Sequence, residues 1–160
     1  MLIVVINFRY KEIQFNISKN VIDTIIKYKQ GNNQSESGGF LIGSISTDGN
    51  RIVANDFTEP LETDKRSIFS FNRSEQHNNI LNLKWKESNY TKLYLGEWHT
   101  HPQDIPMPSF VDKKSWKNLL KKSNTESEFL IFIIVGMETI ETWIGDRKLK
   151  SIERMCSYRF

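Results

Sequence analysis

An α/β fold, a mixed sheet flanked by helices within the single domain 1–160, is what this sequence predicts. Three observations lead there. Short apolar runs rich in Ile, Val and Phe recur at strand length, and between them lie stretches whose apolar residues fall at helical spacing. The most hydrophobic run, residues 129–135, is followed closely by two more strand-like segments, the pattern of antiparallel neighbours. No internal repeat or low-complexity segment interrupts the chain.

Taken in order, residues 2–8 and 12–17 read as an opening hairpin. Ser18 then caps a helix whose Val21, Ile22, Ile25 and Ile26 share a face. Residues 31–37 form a polar loop, with Glu36 just before the next strand. Strands follow at about 38–46 and 51–57, joined through Asp48-Gly49-Asn50. Residues 58–67 are charged and irregular, 68–71 a short strand, and 74–87 a polar helix on which His77 is expected to be solvated. Leu93, Tyr94 and Leu95 open a buried strand that runs to Thr100. The helix after it carries Lys113, Lys114, Lys117, Lys121 and Lys122, with Trp116, Leu119 and Leu120 as its buried stripe. Residues 129–135 read as the central strand, and 139–144 and 148–154 as its antiparallel successors.

An apolar fraction of 38% suffices for a core in a chain of 160 residues. The net charge of +3 is too mild to mark a nucleic-acid binder, so no nucleic-acid partner is expected. No apolar span reaches membrane length, and residues 2–6 are too short for a signal-peptide core, so neither a membrane nor export is expected. Cys156 is alone, which fits a reducing cytoplasm and offers no cysteine-peptidase pattern.

The chemistry concentrates in Gly96-Glu97-Trp98-His99-Thr100-His101-Pro102, followed by Ser109 and Asp112. Alternate side chains of a strand share a face, so His99 and His101 project together. Pro102 stops the pairing, and Pro106 and Pro108 punctuate a turn long enough to return Asp112 to the histidines. Two neutral imidazoles and a carboxylate leave a tetrahedral zinc one open position, as in catalytic sites; manganese and iron accept the same donors. Ser109 and Asp112 also spell a capping box, and the serine can serve both ends. Glu97 shares the histidines' face and reads as a group that orients an imidazole proton or meets substrate. Trp98 and Trp116 read first as core or rim packing, with Trp98 kept beside Glu97 as a residue backing the ligands or facing substrate.

Together with Glu36, Gly39, Leu41 and Gly43, these residues resemble the two-part signature of the JAMM, or MPN-plus, metallopeptidases, E-x-x-G-x-L-x-G and H-x-H-P-x6-S-x-x-D. The chain is most similar to compact bacterial members encoded beside ubiquitin-like conjugation enzymes, including those of CBASS antiphage operons. The resemblance implies a curved MPN/JAB sheet packed by helices, with Glu36 brought to the metal from a separate strand. It implies Zn2+ on His99, His101 and Asp112, lowering the pKa of a bound water to roughly 7. Glu36 is then the general base, and Ser109 the donor to the developing oxyanion, a contribution worth about 2.7–4 kcal/mol in other hydrolases. The implied reaction is cleavage after the C-terminus of a ubiquitin-like protein or its conjugate, the conjugated target being in one form an enzyme. An extended tail would lie in a groove to which residues 58–73 contribute. A zinc peptidase for small peptides or sulfur-carrier conjugates is the nearest alternative, and a non-catalytic MPN scaffold the next.

Overall fold

The computed structural model describes residues 1–160. Its elements are Val4–Tyr10 (β1), Ile13–Ser18 (β2), Lys19–Ile25 (α1), Gly38–Ile45 (β3), Arg51–Phe57 (β4), Lys65–Ser67 (β5), Ser70–Asn72 (β6), Gln76–Glu87 (α2), Leu93–Thr100 (β7), Phe110–Lys122 (α3), Phe129–Val135 (β8), Thr139–Asp146 (β9) and Ser151–Arg159 (β10). Eight strands form one sheet in the order β1-β2-β4-β3-β7-β8-β9-β10, and β5 pairs β6 in a separate ribbon. The β2–β4 and β7–β8 contacts are parallel and the others antiparallel, so the sheet is mixed, as expected.

The sheet curls until its outermost strands approach. Tyr10 Oη donates to Asp146 Oδ2 at 3.3 Å and Lys11 Nζ to the same oxygen at 2.7 Å. Inside the curl, Phe15 and Ile17 meet Leu95, Trp98, Ile131 and Ile133, and Val21, Ile22 and Ile25 of α1 join this core. On the other face Phe40, Ile42, Tyr94 and Phe132 pack with Trp116 and Leu120 of α3. Trp116 stacks on Phe132 with centroids 4.6 Å apart, the largest contact anchoring that helix. Every residue of β8 is buried because both layers cover it. It is nevertheless sixth of eight strands, and β3 and β7 hold the middle: burial follows coverage by layers, not rank in the sheet.

One irregularity decides which way the site faces. Leu41 of β3 opposes Gly96 while Ile42 opposes Tyr94, so Leu95 is an extra residue, a β-bulge in β7. Gly96 has φ +143, and a Cβ there would lie 1.8 Å from the Ile131 carbonyl oxygen. Below the bulge Tyr94 faces α3 and Leu95 the inner core; above it Glu97 and His99 face α3 and Trp98 the inner core. Were the same residues to alternate regularly from Tyr94 with no bulge, the two imidazoles would point into the inner core.

Three local expectations need correction. Ser18 occupies the N-cap of α1 with extended backbone, but its hydroxyl pairs with Asn20 Oδ1 and caps no helical amide. Residues 58–71 are more ordered than their charge suggests: the expected short strand is two, β5 and β6, folded as a hairpin with Phe69 in its turn. His77 is fully buried and not solvated. Its Nδ1 lies 2.6 Å from Thr58 Oγ1, and its Nε2 lies 2.9 and 3.0 Å from the Asp64 oxygens. A ring with both nitrogens partnered can sit under a helix whose surface is polar, because burial leaves no hydrogen bond unmade.

Candidate metal centre

β7 carries His99 near its end, and His101 continues the line by donating its N–H to the Val135 carbonyl at 3.0 Å. Pro102 then releases the chain. The loop is pinned to the β8–β9 turn, where the Gln103 and Asp104 carbonyls accept amides of Met137, Glu138 and Thr139 at 2.7 to 3.1 Å. At its far end Ser109 caps α3: Oγ accepts the Asp112 N–H at 3.0 Å, and Asp112 Oδ2 accepts the Ser109 N–H at 2.7 Å. The Ser109 side chain also helps hold Asp112 ionised.

This capping box aims Asp112 at the histidines. His99 Nε2 is 3.2 Å from His101 Nε2 and 3.2 Å from Asp112 Oδ1, and His101 Nε2 is 3.2 Å from Asp112 Oδ2. Donors bound to zinc at about 2.0–2.2 Å in a tetrahedron stand roughly 3.3–3.6 Å apart, close to the separation of the two rings and to the distance of each from one Asp112 oxygen, Oδ1 for His99 and Oδ2 for His101. The three residues are also the ones whose ligand atoms converge within 4.8 Å. Two imidazole nitrogens and a carboxylate are a borderline donor set that zinc accepts.

Electrostatics favour the metal-binding form of His99 and Asp112 and work against it at His101. Burial penalises charge on His99 and lowers its pKa despite Asp112, keeping the ring neutral and its lone pair free. Burial opposes ionisation of Asp112 too, but its bonds to His101 and His99 prevail and hold it far below the usual carboxylate range. His101 is pulled down by burial and pulled up further by the hydrogen bond and charge of Asp112, with Glu36 adding to the rise.

Glu36 stands on the same side, Oε1 3.8 Å from His101 Nε2. That is too long for a hydrogen bond and suited to one intervening water. Burial raises its pKa to about 7, with Asp112 adding to the rise and His101 and Arg73 opposing it. Its backbone N–H donates to Ser67 of the hairpin at 2.8 Å. One residue on, the Ser37 N–H donates to Thr100 Oγ1 at 2.9 Å, and the Thr100 N–H to the Ser37 carbonyl at 2.9 Å. Thr100, whose side chain faces away from the ligands, thus extends the β3–β7 pairing far enough to bring Glu36 beside His101. Gly39 lets residue 58 press against β3, since a Cβ there would lie 2.0 Å from the Thr58 carbonyl oxygen.

Glu97 is buried and paired with Arg73, Nη1 to Oε2 at 2.8 Å. It holds no position among the converging ligand atoms. Arg73 also donates to the carbonyls of Gly39 at 3.1 Å and Trp98 at 2.6 Å, tying β3, β7 and the hairpin together. Sequence reasoning missed it, because nothing in the spacing around Arg73 announces a contact across 25 and 34 residues. Trp98 is fully buried in the inner core, with its indole N–H on the Thr58 carbonyl at 3.1 Å, so it packs the strand and does not meet substrate.

A cleft of about 120 Å³ is lined by Glu36, His99 and Asp112 together with Phe69, Phe71 and Val111, and His101 and Ser109 stand outside its lining. A wider hollow of about 660 Å³ among Arg9, Gln14 and Asp48 lies at the opposite end of the sheet, without an apolar wall or metal-ligand cluster.

Comparison with known proteins identifies relatives of this chain. The profile described as prokaryotic homologs of the JAB domain matches residues 18–145. A protein of Escherichia coli (strain TW11681) named CD-NTase/cGAS isopeptidase is 36% identical over 141 residues, covering 87% of this chain and 85% of the relative. Proteins of the same name from Vibrio cholerae and Pseudomonas aeruginosa are 33% and 34% identical, covering 85% and 78% of this chain and 83% and 78% of their own lengths. A solution structure from Desulfitobacterium hafniense superposes with TM-score 0.60 over 86% of this chain and 87% of that one, at 17% identity, a likeness of fold.

Proposed function

Because this chain belongs to the prokaryotic homologs of the JAB domain, we propose that it is a metal-dependent isopeptidase, cleaving the amide that follows the C-terminus of a protein modifier. The observation that carries this reading is the convergence of His99, His101 and Asp112 through 3.2 Å approaches, with Glu36 alongside. The donor set suits zinc, which held there would supply an acidified water and a Lewis acid for the scissile carbonyl.

The protein's own groups do the rest. Glu36 takes the proton of the attacking water and returns it to the departing amine. Ser109 turns its hydroxyl to the developing oxyanion, and its N–H keeps Asp112 in place. Arg73 and Thr100 hold the two strands so that base and ligands lie together.

The names of the relatives favour a CD-NTase/cGAS protein as a member of the conjugate, and the gene-neighbourhood resemblance favours a ubiquitin-like one. Both fit antiphage defence in the cytoplasm. The test is incubation with fusions in which each candidate C-terminus is joined to a reporter, with and without chelator. Cleavage at the junction that chelator stops and zinc restores is expected. Binding of the fusions without cleavage in any metal would replace this reading with a non-catalytic scaffold.

A further inference from the structure

We propose that the outward face of α3 is a docking surface for an acidic segment of the protein substrate, a proposal that rests on the isopeptidase reading above. Phe110, Val111, Lys113, Lys114, Lys117 and Lys121 line a shallow groove of about 840 Å³ along this helix. The groove is continuous with the catalytic cleft, since Val111 and Ser115 border both. Trp116 and Leu120 anchor the opposite side of the helix in the core, so this face is held rigidly toward solvent.

A lysine-rich helix face is usually only hydrated, but here its local energetics are poor. Lys113, Lys117 and Lys121 stand at i, i+4 and i+8, a row of like charges that repel. The one acidic residue of α3 is Asp112, which the two histidines and the capping box occupy, and no α3 lysine forms an ion pair. Lys113 and Lys114 also lie just beyond the first turn, toward the helix end where a cation is disfavoured. Beside them Phe110 is 81% and Val111 69% exposed, apolar side chains at the lip of the cleft. Unanswered positive charge next to exposed apolar surface suits a partner with the complementary pattern, apolar near the scissile bond and acidic beyond it. From Val111 to Lys121 the helix rises about 15 Å, which an extended segment spans in four or five residues. The acidic residues therefore belong within about five positions of the apolar contact.

The test uses matched fusions differing only in a five-residue run beside the scissile bond, Asp/Glu in one and Asn/Gln in the other, placed on either side of the cut. The wild type should cleave the acidic fusion with a kcat/KM at least about tenfold higher through KM on one side of the bond, an advantage that shrinks as salt is raised. Lys113→Glu/Lys117→Glu/Lys121→Glu should erase or invert the ratio, which is taken within each protein and so does not depend on how much of it folds. Equal rates for both runs on both sides would overturn the proposal while leaving the isopeptidase intact. Should neither fusion be cut, the isopeptidase reading fails, and anisotropy of labelled acidic and neutral peptides on the wild type and the triple variant still decides the surface: equal binding overturns it.

Discussion

The carboxylate of Asp112 accepts the Ser109 amide while standing 3.2 Å from each imidazole, so one geometry serves both the helix cap and the convergence on the histidines. The division of labour between the two nearby glutamates is testable. Glu36→Gln should lower cleavage by about 10²- to 10⁴-fold with bound metal unchanged by elemental analysis. Glu97→Gln, which still offers Arg73 an acceptor, should stay within about tenfold of the wild type; the reverse ranking would exchange their roles. Glu36 also makes a pH prediction for the metal-free protein. A carboxyl raised to about 7 contributes stability below the ordinary carboxylate range and loses it as pH rises through about 7. Chelator-treated Glu36→Gln should therefore gain on the wild type between pH 5 and 8.5, by on the order of 3 kcal/mol at roughly 1.4 kcal/mol per pKa unit. Parallel urea midpoints across that range would show the carboxyl is not strained by burial. At this scale the ligands were legible because their spacing is local: two strand positions, a turn, a helix cap. Arg73 and the clamp of Thr100 on Ser37 were not, because each acts across a distance in sequence that only the folded sheet closes.

Among the elements, β7 is the one on which the site turns, and its bulge is the reason. Gly96→Ala must place a methyl 1.8 Å from the Ile131 carbonyl at a backbone angle that side chains rarely adopt. It should cost more than about 3 kcal/mol in urea unfolding and lose metal together with stability. Gly49→Ala, also at positive φ but with nothing within 4 Å of its Cβ, is the control and should cost no more than about 1–2 kcal/mol. Equal effects would mean that the bulge is not needed. The segment joining β4 to α2 is held by the buried Thr58–His77–Asp64 network. His77→Ala should destabilise the protein by about 2–3 kcal/mol, because it leaves a buried carboxylate and hydroxyl short of a partner; a change under about 0.5 kcal/mol would show the network to be idle. Most strands and helices were readable from apolar period and turn residues. The β5–β6 hairpin and buried His77 were not, since charged, short segments carry little periodic signal and their order comes from tertiary partners.

Across the whole molecule, the antiparallel pairing of β3 with β7 brings the lead-in to β3 and the exit from β7 to the same end of the sheet, and α3 folds back over it to set Asp112 beside the histidines. Helix packing and sheet class followed from hydrophobic pattern; strand order did not, because β7 pairs parallel with β8 and antiparallel with β3, a choice that no local signal encodes. The match of residues 18–145 to the JAB profile places this architecture in a known family, and the likeness to the Desulfitobacterium hafniense structure is one of fold. What remains decisive is the ion itself. Crystals grown with zinc and measured at its absorption edge should show a single strong anomalous peak about 2.0–2.2 Å from His99 Nε2, His101 Nε2 and an Asp112 oxygen. A map with no peak between those three side chains, in protein that nonetheless cleaves its conjugate, would contradict the metal-centred mechanism outright.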